Sequence, residues 1–446
     1  MTGALPSADE VRRWAGDTWR CLAATAYEPT GLPADGIDER LDPTTRTPYT
    51  SPTNIAGYLW SALAASRLGL IAQDEARARC SRVLATLAGL ARHQGSGMFY
   101  NWYDVATGER TRTWGRRGRI LPAFLSSVDN AWLALALRIV AAGEPTLAGA
   151  ATAILTPMRF DAFYDPGARP VGGLMRGGFW ETPRRNRSVP GRDPSGAPIH
   201  LTRHHYALLN SETRLVTYVA LAAGQVGAQA YAALEAPIRR YAGCELVASL
   251  GGSMFEALAV PAFVPEAAWA PELWGANHAG TVRAHRAFAA EVGAPVWGLS
   301  PCACPGAGSA GGYSEFGVPA IGLLGDSYRT TWRGQVVVTP HAAALALPYD
   351  APAALTNLSR LAELGCYGPG GFVDSIGVRT RRTAGRHLTL DQAFLMAGLV
   401  HRLTGGAGQE GLLHRLAREG GLGDAVRHAV VQRSRTVAIR VDPEAV

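Results

Sequence analysis

Residues 128–142, VDNAWLALALRIVAA, form a segment that is apolar on nearly every face of a helix. A helix at the surface of a globular protein carries a single apolar stripe, so a helix that is apolar nearly all round is expected to be enclosed by other helices. Residues 213–224, TRLVTYVALAAG, have the same character. Both segments therefore predict helices of an inner layer.

Residues 75–91, EARARCSRVLATLAGLA, predict a helix of an outer layer, because arginines lie opposite a single apolar stripe. The stripe consists of Ala76, Cys80, Val83, Leu84, Leu87 and Ala91. Further helices are predicted at residues 55–71, 277–291, 352–364, 390–403 and 410–418. The alternation of inner and outer helices indicates an all-α fold, a two-layer toroid in which helical hairpins form a closed double ring around a central pocket.

Three connections between the predicted helices are long and rich in aromatic residues: 107–125, 161–209 and 297–339. Connections above about 12 to 15 residues are usually functional or disordered, and the many Trp, Tyr and His residues favour ordered structure. We expect these loops to cover one rim of the toroid, with a few short strands such as residues 336–339. No linker or charge block divides the chain, so residues 1–446 are predicted to form a single domain.

The distribution of charged and apolar residues argues against a nucleic-acid partner and against a membrane span. The formal net charge is +7, but the arginines are scattered in loops and not gathered on one face, as nucleic-acid binding requires. No apolar run reaches the length of about 18 residues that a membrane span needs, and the first residues lack the pattern of a signal peptide. The sequence predicts a cytoplasmic protein that acts on a small-molecule or oligosaccharide substrate, without a nucleic-acid or membrane partner.

No metal ion, nucleotide or other cofactor is predicted. Cys302 and Cys304 are one residue apart, but no second pair of Cys or His follows at the spacing of a zinc site. Gly306, Gly308 and Gly311 match a dinucleotide-binding pattern in spacing alone, because no strand is predicted before them and no helix after them. The six cysteines are expected to be free thiols.

Two carboxylates lie at the predicted starts of inner helices. Asp129 follows Ser127, which is a natural helix cap. Glu212 similarly follows Ser211. Either acid is explained equally well by its favourable interaction with the positive end of a helix. If the inner helices begin at the same rim of the toroid, however, the two acids converge on one cavity, and glycoside hydrolysis requires a pair of such carboxylates.

Glu256 and Glu315 lie among apolar residues, in GGSMFEALAVP and GGYSEFGVP. A buried carboxylate is stable only when it is paired or hydrogen-bonded. Each residue is therefore predicted to be either an acid with a raised pKa or the partner of a structural arginine such as Arg214.

Aromatic side chains are concentrated in polar segments, including FYNWYD at residues 99–104 and GGFWE at residues 177–181. Such flat apolar faces suit stacking on sugar rings, although aromatic residues belong to the protein core more often than to a ligand site. Neighbouring polar residues such as Asn101, His204 and Asn277 favour a pocket.

The order of the motifs along the chain resembles that of the glucoamylase-like family. The motifs include SPTNI (51–55), NWYD (101–104), SVDN (127–130), GGSMFEAL (251–258) and GGYSEFGV (311–318). Relatives in that family include glycoside hydrolases that act on β-1,2-glucan and a domain of cyclic β-1,2-glucan synthases. The resemblance covers residues from about 14 to 403 and leaves residues 404–446 as a helical tail. It implies an (α/α)6 toroid with a pocket at the rim where the inner helices begin.

The resemblance also implies site residues. Glu212 matches the position of a catalytic acidic candidate in synthase-type relatives, and Asp129, Glu256 and Asp374 lie in pocket motifs. Those relatives carry a carboxylate where this chain has Pro301. Three possibilities follow: another glutamate supplies the acid, a proton passes through water from another residue, or the pocket does not hydrolyse its ligand.

The leading hypothesis is a glycoside hydrolase or transglycosylase that acts on a β-linked gluco-oligosaccharide. Glu212 is the predicted base or nucleophile, Glu256 or Glu315 is the acid, and Asp129 orients water or a sugar hydroxyl. The predicted substrate-binding residues are Asn54, Tyr103, Asp104, Trp180, His204, His205, Arg214, Trp297, Tyr313 and Asp374. The alternatives are a toroid repurposed for a non-sugar or glycosylated small molecule in a biosynthetic pathway, and a non-catalytic sugar-binding protein. The sequence leaves linkage, anomeric outcome and oligomeric state open.

Overall fold

The computed structural model describes residues 5–115, 117–168, 172–307, 312–324, 328–405 and 410–439. Helices are the main secondary structure of these residues. The helices are α1 (Ala8–Thr25), α2 (Pro52–Arg67), α3 (Gln73–Gly89), α4 (Ser127–Gly143), α5 (Ala148–Leu155), α6 (Arg214–Ala222), α7 (Gln229–Ala232), α8 (Met254–Leu258), α9 (Glu266–Trp269), α10 (Ala276–Glu291), α11 (Pro340–Leu345), α12 (Ala351–Leu361), α13 (Thr389–Thr404), α14 (Leu412–Glu419) and α15 (Asp424–Ser434).

The strands are short, pair antiparallel and lie in the connections between helices. Their bounds are β1 (Gly36–Asp38), β2 (Tyr49–Thr50), β3 (Tyr103–Asp104), β4 (Thr113–Trp114), β5 (Arg119–Ile120), β6 (Phe124–Ser126), β7 (Tyr164–Asp165), β8 (Leu174–Arg176), β9 (Gly178–Trp180), β10 (Ser188–Arg192), β11 (Pro198–Thr202), β12 (His205–Tyr206), β13 (Ile238–Tyr241), β14 (Cys244–Val247), β15 (Cys302–Ala303), β16 (Tyr313–Ser314), β17 (Thr331–Trp332), β18 (Gln335–Val338), β19 (Tyr367–Gly368), β20 (Gly371–Phe372), β21 (Ile376–Gly377) and β22 (Arg386–Leu388). One sheet has the order β10-β11-β9-β6 and so joins the 161–209 connection to the start of α4.

Helix α4 confirms the interpretation of its apolar sequence. Residues 130–137 are all buried, so no face of this part of the helix meets solvent. The helix starts where a side chain can accept the first free N–H groups, and the capping residue is Ser126, not Ser127, because the Ser126 side chain accepts a hydrogen bond from the Asp129 N–H. Helix α6 is likewise buried from Arg214 to Leu221.

Helix α3 has the predicted outer-layer character. The five stripe residues from Ala76 to Leu87 are buried. Ala91 was predicted to continue the stripe and is instead exposed, because the helix ends at Gly89 and the chain turns into an extended conformation at Leu90.

Six helices pack in a cyclic order and are called the inner helices: α2, α4, α6, α8, α11 and α13. Helix α2 contacts α4, α4 contacts α6, α8 contacts α11, α11 contacts α13, and α13 contacts α2. Helices α6 and α8 are linked by the Arg214 guanidinium, which donates to the carbonyl oxygens of Glu256 and Ala257. The remaining helices lie outside this cycle, with α1 against α13, α3 against α2, α5 against α4, α15 against α6, α10 against α8 and α12 against α11.

Large aromatic side chains fill the space between the inner helices. Trp60 of α2 contacts Phe263 with ring centroids 4.7 Å apart, and Trp132 of α4 contacts Phe394 of α13 at 5.0 Å. All four rings are buried. Edge-to-face contacts between such rings add to the stabilisation from their burial. The hydrophobic core is therefore centred within the cycle of inner helices.

The described residues also report on the predictions about cysteines, metals and membranes. All six cysteines are buried free thiols. Within the described ranges, no cluster of three or more His, Cys, Asp or Glu side chains is arranged to hold a metal ion, and no helix combines the length and hydropathy that a membrane span requires. Gly308 and Gly311 of the glycine pattern lie outside the described residues.

Candidate active site

A cavity of about 490 Å³ lies where inner helices begin. Helices α2, α4, α8 and α13 each contribute residues of their first turn to the lining. Glu212, which lies just before the start of α6, also lines the cavity. The volume is in the range of sites for small ligands. The lining residues are Asp35, Tyr49, Ser51, Thr53, Asn54, Asn101, Trp102, Trp114, Val128, Asp129, Trp132, Glu212, Phe255, Ala303, Tyr313, Arg386, Leu388 and Leu390.

Glu212 lines this cavity two residues before α6 begins. The Ser211 Oγ donates a hydrogen bond to its carboxylate at 3.2 Å. Burial, followed by the negative charge of Glu256, raises the pKa of Glu212 from 4.5 to about 7. A carboxyl group with a pKa near the working pH is suited to general acid catalysis, because it is protonated often enough to donate and acidic enough to release its proton.

Asp129 lines the same cavity from the first turn of α4. Its Oδ1 accepts a hydrogen bond from the Thr53 Oγ1 at 2.7 Å, which ties α4 to α2. Burial raises the pKa of Asp129. Burial and then the charges of Glu212 and Asp129 raise the pKa of Tyr206. Asp129 and Glu212 therefore line one cavity, as the sequence predicts, although Glu212 precedes its helix and only Asp129 lies in a first turn.

Asp35 is a third carboxylate of the cavity and was missed by the sequence interpretation. Its Oδ1 accepts a hydrogen bond from the Asn54 Nδ2 at 3.0 Å. Burial raises the pKa of Asp35, while this hydrogen bond and the positive charge of Arg386 lower it. Asn54, which was predicted to bind substrate, thus lies on the cavity wall beside Asp35.

Three aromatic rings, which we call the aromatic wall, border the cavity: Tyr49, Trp102 and Trp114. The ring centroids of Tyr49 and Trp114 are 4.2 Å apart, and Trp102 lies 5.4 Å from Tyr49 and 5.3 Å from Trp114. The NWYD motif contributes Asn101 and Trp102 to the cavity lining, but Tyr103, which is the predicted substrate-binding residue of this motif, does not line the cavity. Tyr103 is fully buried, and its hydroxyl donates to the Ala91 carbonyl at 2.7 Å.

Glu256 is buried behind the cavity as the third residue of α8. Its Oε2 accepts hydrogen bonds from the Ser249 Oγ at 2.9 Å and from the N–H groups of Gly251 and Ser253 at 3.1 Å each. With Ser253 it forms a capping box at the start of α8. Burial raises the pKa of Glu256, and these hydrogen bonds lower it. Glu256 is therefore positioned to act on Glu212 through its charge.

Glu315 was predicted to be a buried acid, and this expectation is wrong. Its side chain is exposed, because the neighbouring Phe316 fills the interior in its place. Tyr313, two residues earlier on β16, does line the cavity and is 54% exposed.

Arg214 was predicted to bind substrate but lies in the core. It is 1% exposed, and its guanidinium donates to both carboxylate oxygens of Glu266, from Nε at 2.7 Å and from Nη2 at 2.8 Å. The structural partner of Arg214 is therefore Glu266, and not the carboxylate of Glu256 or Glu315. This partner could not be predicted from sequence periodicity, because Glu266 belongs to the four-residue helix α9.

Asp104 and Trp180 lie outside the cavity. Asp104 fixes a turn, since its Oδ1 accepts hydrogen bonds from the N–H groups of Ala106 and Thr107 at 2.9 Å each. Trp180 packs on Phe124 of the neighbouring strand, with ring centroids 4.8 Å apart. Both positions are determined by local strand and turn structure.

The histidines predicted to bind substrate, His204 and His205, do not line the cavity either. His204 is exposed, but its ring is not fully solvated, and this incomplete solvation lowers the pKa of His204. The His205 Nε2 lies 2.9 Å from the Asp165 Oδ2, to which Arg176 also donates. His205 thus belongs to a polar cluster that links β12, β8 and β7.

Trp297 and Asp374 were also predicted to bind substrate, but neither lines the cavity, and each is hydrogen-bonded to a neighbouring segment of the chain. The Trp297 backbone exchanges two hydrogen bonds with the Asn357 side chain, at 3.1 and 2.8 Å, and its indole lines a separate groove between α10 and α12. The Asp374 Oδ2 accepts from the Ala303 N–H at 2.6 Å and so holds the strand that contributes Ala303 to the cavity. Burial raises the pKa of Asp374 to about 6.

Comparisons with known proteins agree with the class of fold that this geometry indicates. Residues 204–405 match the family described as "Putative glucoamylase", and residues 13–168 match a family described as "Protein of unknown function (DUF3131)". The resemblance to the glucoamylase-like family, inferred from the motifs, is thus confirmed.

Individual relatives are distant but similar over most of this chain. The cyclic β-(1,2)-glucan synthase NdvB of Rhizobium meliloti is 24% identical over 82% of this chain, a match that spans 16% of the synthase. An endo-β-1,2-glucanase of Chitinophaga pinensis, solved with sophorotriose and glucose, is 15% identical with a TM-score of 0.71, covering 98% of this chain and 99% of the glucanase. A glucoamylase-like protein of Bacteroides caccae is 17% identical with a TM-score of 0.68, covering 98% of this chain and all of the other. The chain shares the fold of these mainly helical proteins.

Proposed function

We propose that the protein is a glycoside hydrolase or transglycosylase that acts on a β-1,2-linked gluco-oligosaccharide. The observation that carries the proposal is that Glu212, with a pKa of about 7, shares an aromatic-walled cavity with the carboxylate of Asp129. Glycoside chemistry needs one protonated and one ionised carboxyl group on the two sides of the scissile bond. The likeness to an endo-β-1,2-glucanase and to a cyclic β-(1,2)-glucan synthase supports the choice of linkage.

We further propose that the helices form an (α/α)6 toroid within a single domain. The cyclic contacts of the inner helices and the outer position of their partners support this arrangement. The cavity then lies at the rim where the inner helices begin, and the positive ends of their helix dipoles favour carboxylates there.

In the proposed mechanism, Glu212 is the general acid and not the base or nucleophile. Its proton moves to the glycosidic oxygen while the bond from that oxygen to the anomeric carbon breaks. A water molecule in hydrolysis, or a sugar hydroxyl in transfer, bonds to the anomeric carbon and releases its proton to Asp129. The side chains of Asp35 and Asn54 are placed to bind sugar hydroxyls, and the aromatic wall is placed to stack on a sugar ring.

Pro301 is compatible with this mechanism. Strand β15, which follows Pro301, contributes Ala303 to the cavity. The proposed proton donor, Glu212, belongs to a different segment, just before the start of α6. The loop carboxylate of synthase-type relatives is therefore not required for proton donation here.

The direct experiment is to incubate the purified protein with β-1,2-, β-1,3- and α-linked gluco-oligosaccharides and to separate the products by chromatography. We expect shortened or rearranged products from the β-1,2-linked series. Binding of that series without products in prolonged incubation would instead identify a sugar-binding protein, and the absence of both would contradict a carbohydrate function.

Glu315→Gln is expected to change kcat/KM by less than about twofold, since exposed substitutions away from a site have small effects. The carboxylate is exposed and does not line the cavity. Steady-state kinetics on the same oligosaccharide provide the test. A loss of a hundredfold or more would return Glu315 to the role of acid.

Glu256→Gln is expected to move the alkaline limb of the pH profile to lower pH, by about half to one unit. The negative charge of Glu256 raises the pKa of Glu212, so removing this charge makes Glu212 lose its proton at lower pH. The measurement is kcat/KM as a function of pH, with Glu315→Gln as the matched control. An active Glu256→Gln variant with an unshifted limb would show that Glu256 does not tune the acid.

A further inference from the structure

A second depression, of about 680 Å³, adjoins the cavity. Tyr49 and Trp114 line both spaces, so two rings of the aromatic wall form the boundary between them. A ligand that stacks on these rings in the cavity can continue over their edges into the depression without leaving the protein surface.

The depression is built from the same segments as the aromatic wall. Strand β2 pairs with β3, which places Tyr49 opposite Asp104. The Thr111 N–H donates to the Trp102 carbonyl at 3.0 Å, which holds the next segment beside the wall. The hairpin of β4 and β5 then presents Trp114. The distance between cavity and depression is therefore fixed by backbone hydrogen bonds.

The polar groups around the depression fit a neutral ligand rich in hydroxyl groups. Arg110 is held by Glu181 at 3.3 Å and lies over the Tyr100 ring at 4.7 Å. Arg112 and Glu109 are exposed, and neither side chain has a partner in the part of the chain that the structure describes. The exposed guanidinium of Arg112 and the exposed carboxylate of Glu109 both line the depression and offer a donor and an acceptor, while their opposite charges balance.

We propose that this depression binds the sugar units of a neutral gluco-oligosaccharide that extend beyond those held in the cavity. The protein then prefers long chains to short ones. This inference rests on the proposed function, because it takes the same class of substrate, but it concerns a different surface and a different property.

The first experiment measures dissociation constants and kcat/KM for a series of β-1,2-linked gluco-oligosaccharides from disaccharide to octasaccharide. Tryptophan fluorescence reports binding, since Trp102 and Trp114 line the cavity. We expect affinity and kcat/KM to rise with length beyond the units that fill the cavity and then to reach a plateau.

The second experiment compares Arg112→Ala and Glu109→Ala with Arg117→Ala. Arg117 is an exposed arginine of the same hairpin that does not line the depression, so Arg117→Ala is the matched control. Each of the first two changes is expected to weaken the binding of long chains about threefold to tenfold and to leave the shortest bound chain unaffected. The control is expected to bind all lengths like the unsubstituted protein.

The outcomes separate this inference from the proposed function. Turnover that is independent of chain length, or variants that affect short and long chains equally, would overturn the inference and leave the proposed function standing. Length-dependent binding that Arg112→Ala weakens, without any turnover, would support the inference and overturn the enzymatic proposal. No binding at any length would overturn both.

Discussion

Glu212→Gln is expected to lower kcat by about two to four orders of magnitude on a β-1,2-linked gluco-oligosaccharide. The amide keeps the size and hydrogen-bonding reach of the side chain but has no proton to give to the leaving oxygen. In the unsubstituted protein, kcat/KM is expected to fall as pH rises through about 7, because Glu212 loses its proton there. The residual activity of the variant is expected to lack this dependence. Turnover that the substitution leaves unchanged would contradict the assignment of the acid.

The stability of the same variant serves as its control. The pKa of Glu212 is about 7 in the folded protein and 4.5 for the ordinary group, so the folded state binds this proton more tightly than the unfolded state. The contribution of Glu212 to stability is therefore fully present below pH 4.5 and is lost as pH rises through about 7. Glu212→Gln removes this loss, so we expect a higher Tm than that of the unsubstituted protein at alkaline pH. A lower Tm would attribute the lost activity to unfolding.

The long inner helices were predictable because a helix that is buried on every side is apolar on nearly every face. An apolar surface on every side of α4 is tolerated only where other helices surround it, and residues 130–137 are buried accordingly. Two of the helices that were not predicted carry weaker signals. Helices α8 and α11 are five and six residues long, which is too short to show the 3.6-residue period. Helix α1 has Ser7 as cap and two acids in its first turn, a signal that the sequence interpretation passed over.

The carboxylates of the site were predictable where they depend on helix starts. Asp129 lies at the start of α4 and Glu212 just before the start of α6, and both line the same cavity, so the positions of the helix starts bring them together. Asp35 could not be found this way. It precedes β1, which pairs with β22 near the other end of the chain and places Asp35 near Arg386. Long-range pairing of such short strands leaves no periodic signal in either segment.

Arg214→Met is expected to lower the free energy of unfolding by about 3 to 5 kcal/mol, because it leaves a buried carboxylate without its partner. Arg214 and Glu266 both have fully buried side chains. Burial opposes the charge of Glu266, but the charge and hydrogen bonds of Arg214 hold its pKa at about 2. Tyr218 also donates to Glu266, at 2.6 Å, and the His278 Nε2 lies 3.3 Å from the Glu266 Oε2. Burial lowers the pKa of His278 and so favours its neutral form, and neutral partners do not replace the positive charge of Arg214. Urea-induced unfolding measures the change.

The double variant Arg214→Met with Glu266→Leu separates the ion pair from simple loss of packing. Removal of both charges leaves no uncompensated carboxylate, so we expect the double variant to be more stable than Arg214→Met alone. Without Arg214, the pKa of Glu266 rises, so the destabilisation of the single variant is expected to shrink as pH falls and Glu266 takes up a proton. Equal stabilities of the single and double variants would contradict a structural ion pair. Because Arg214 also donates to the Glu256 carbonyl, the same variants test whether the link between α6 and α8 supports the residue that tunes Glu212.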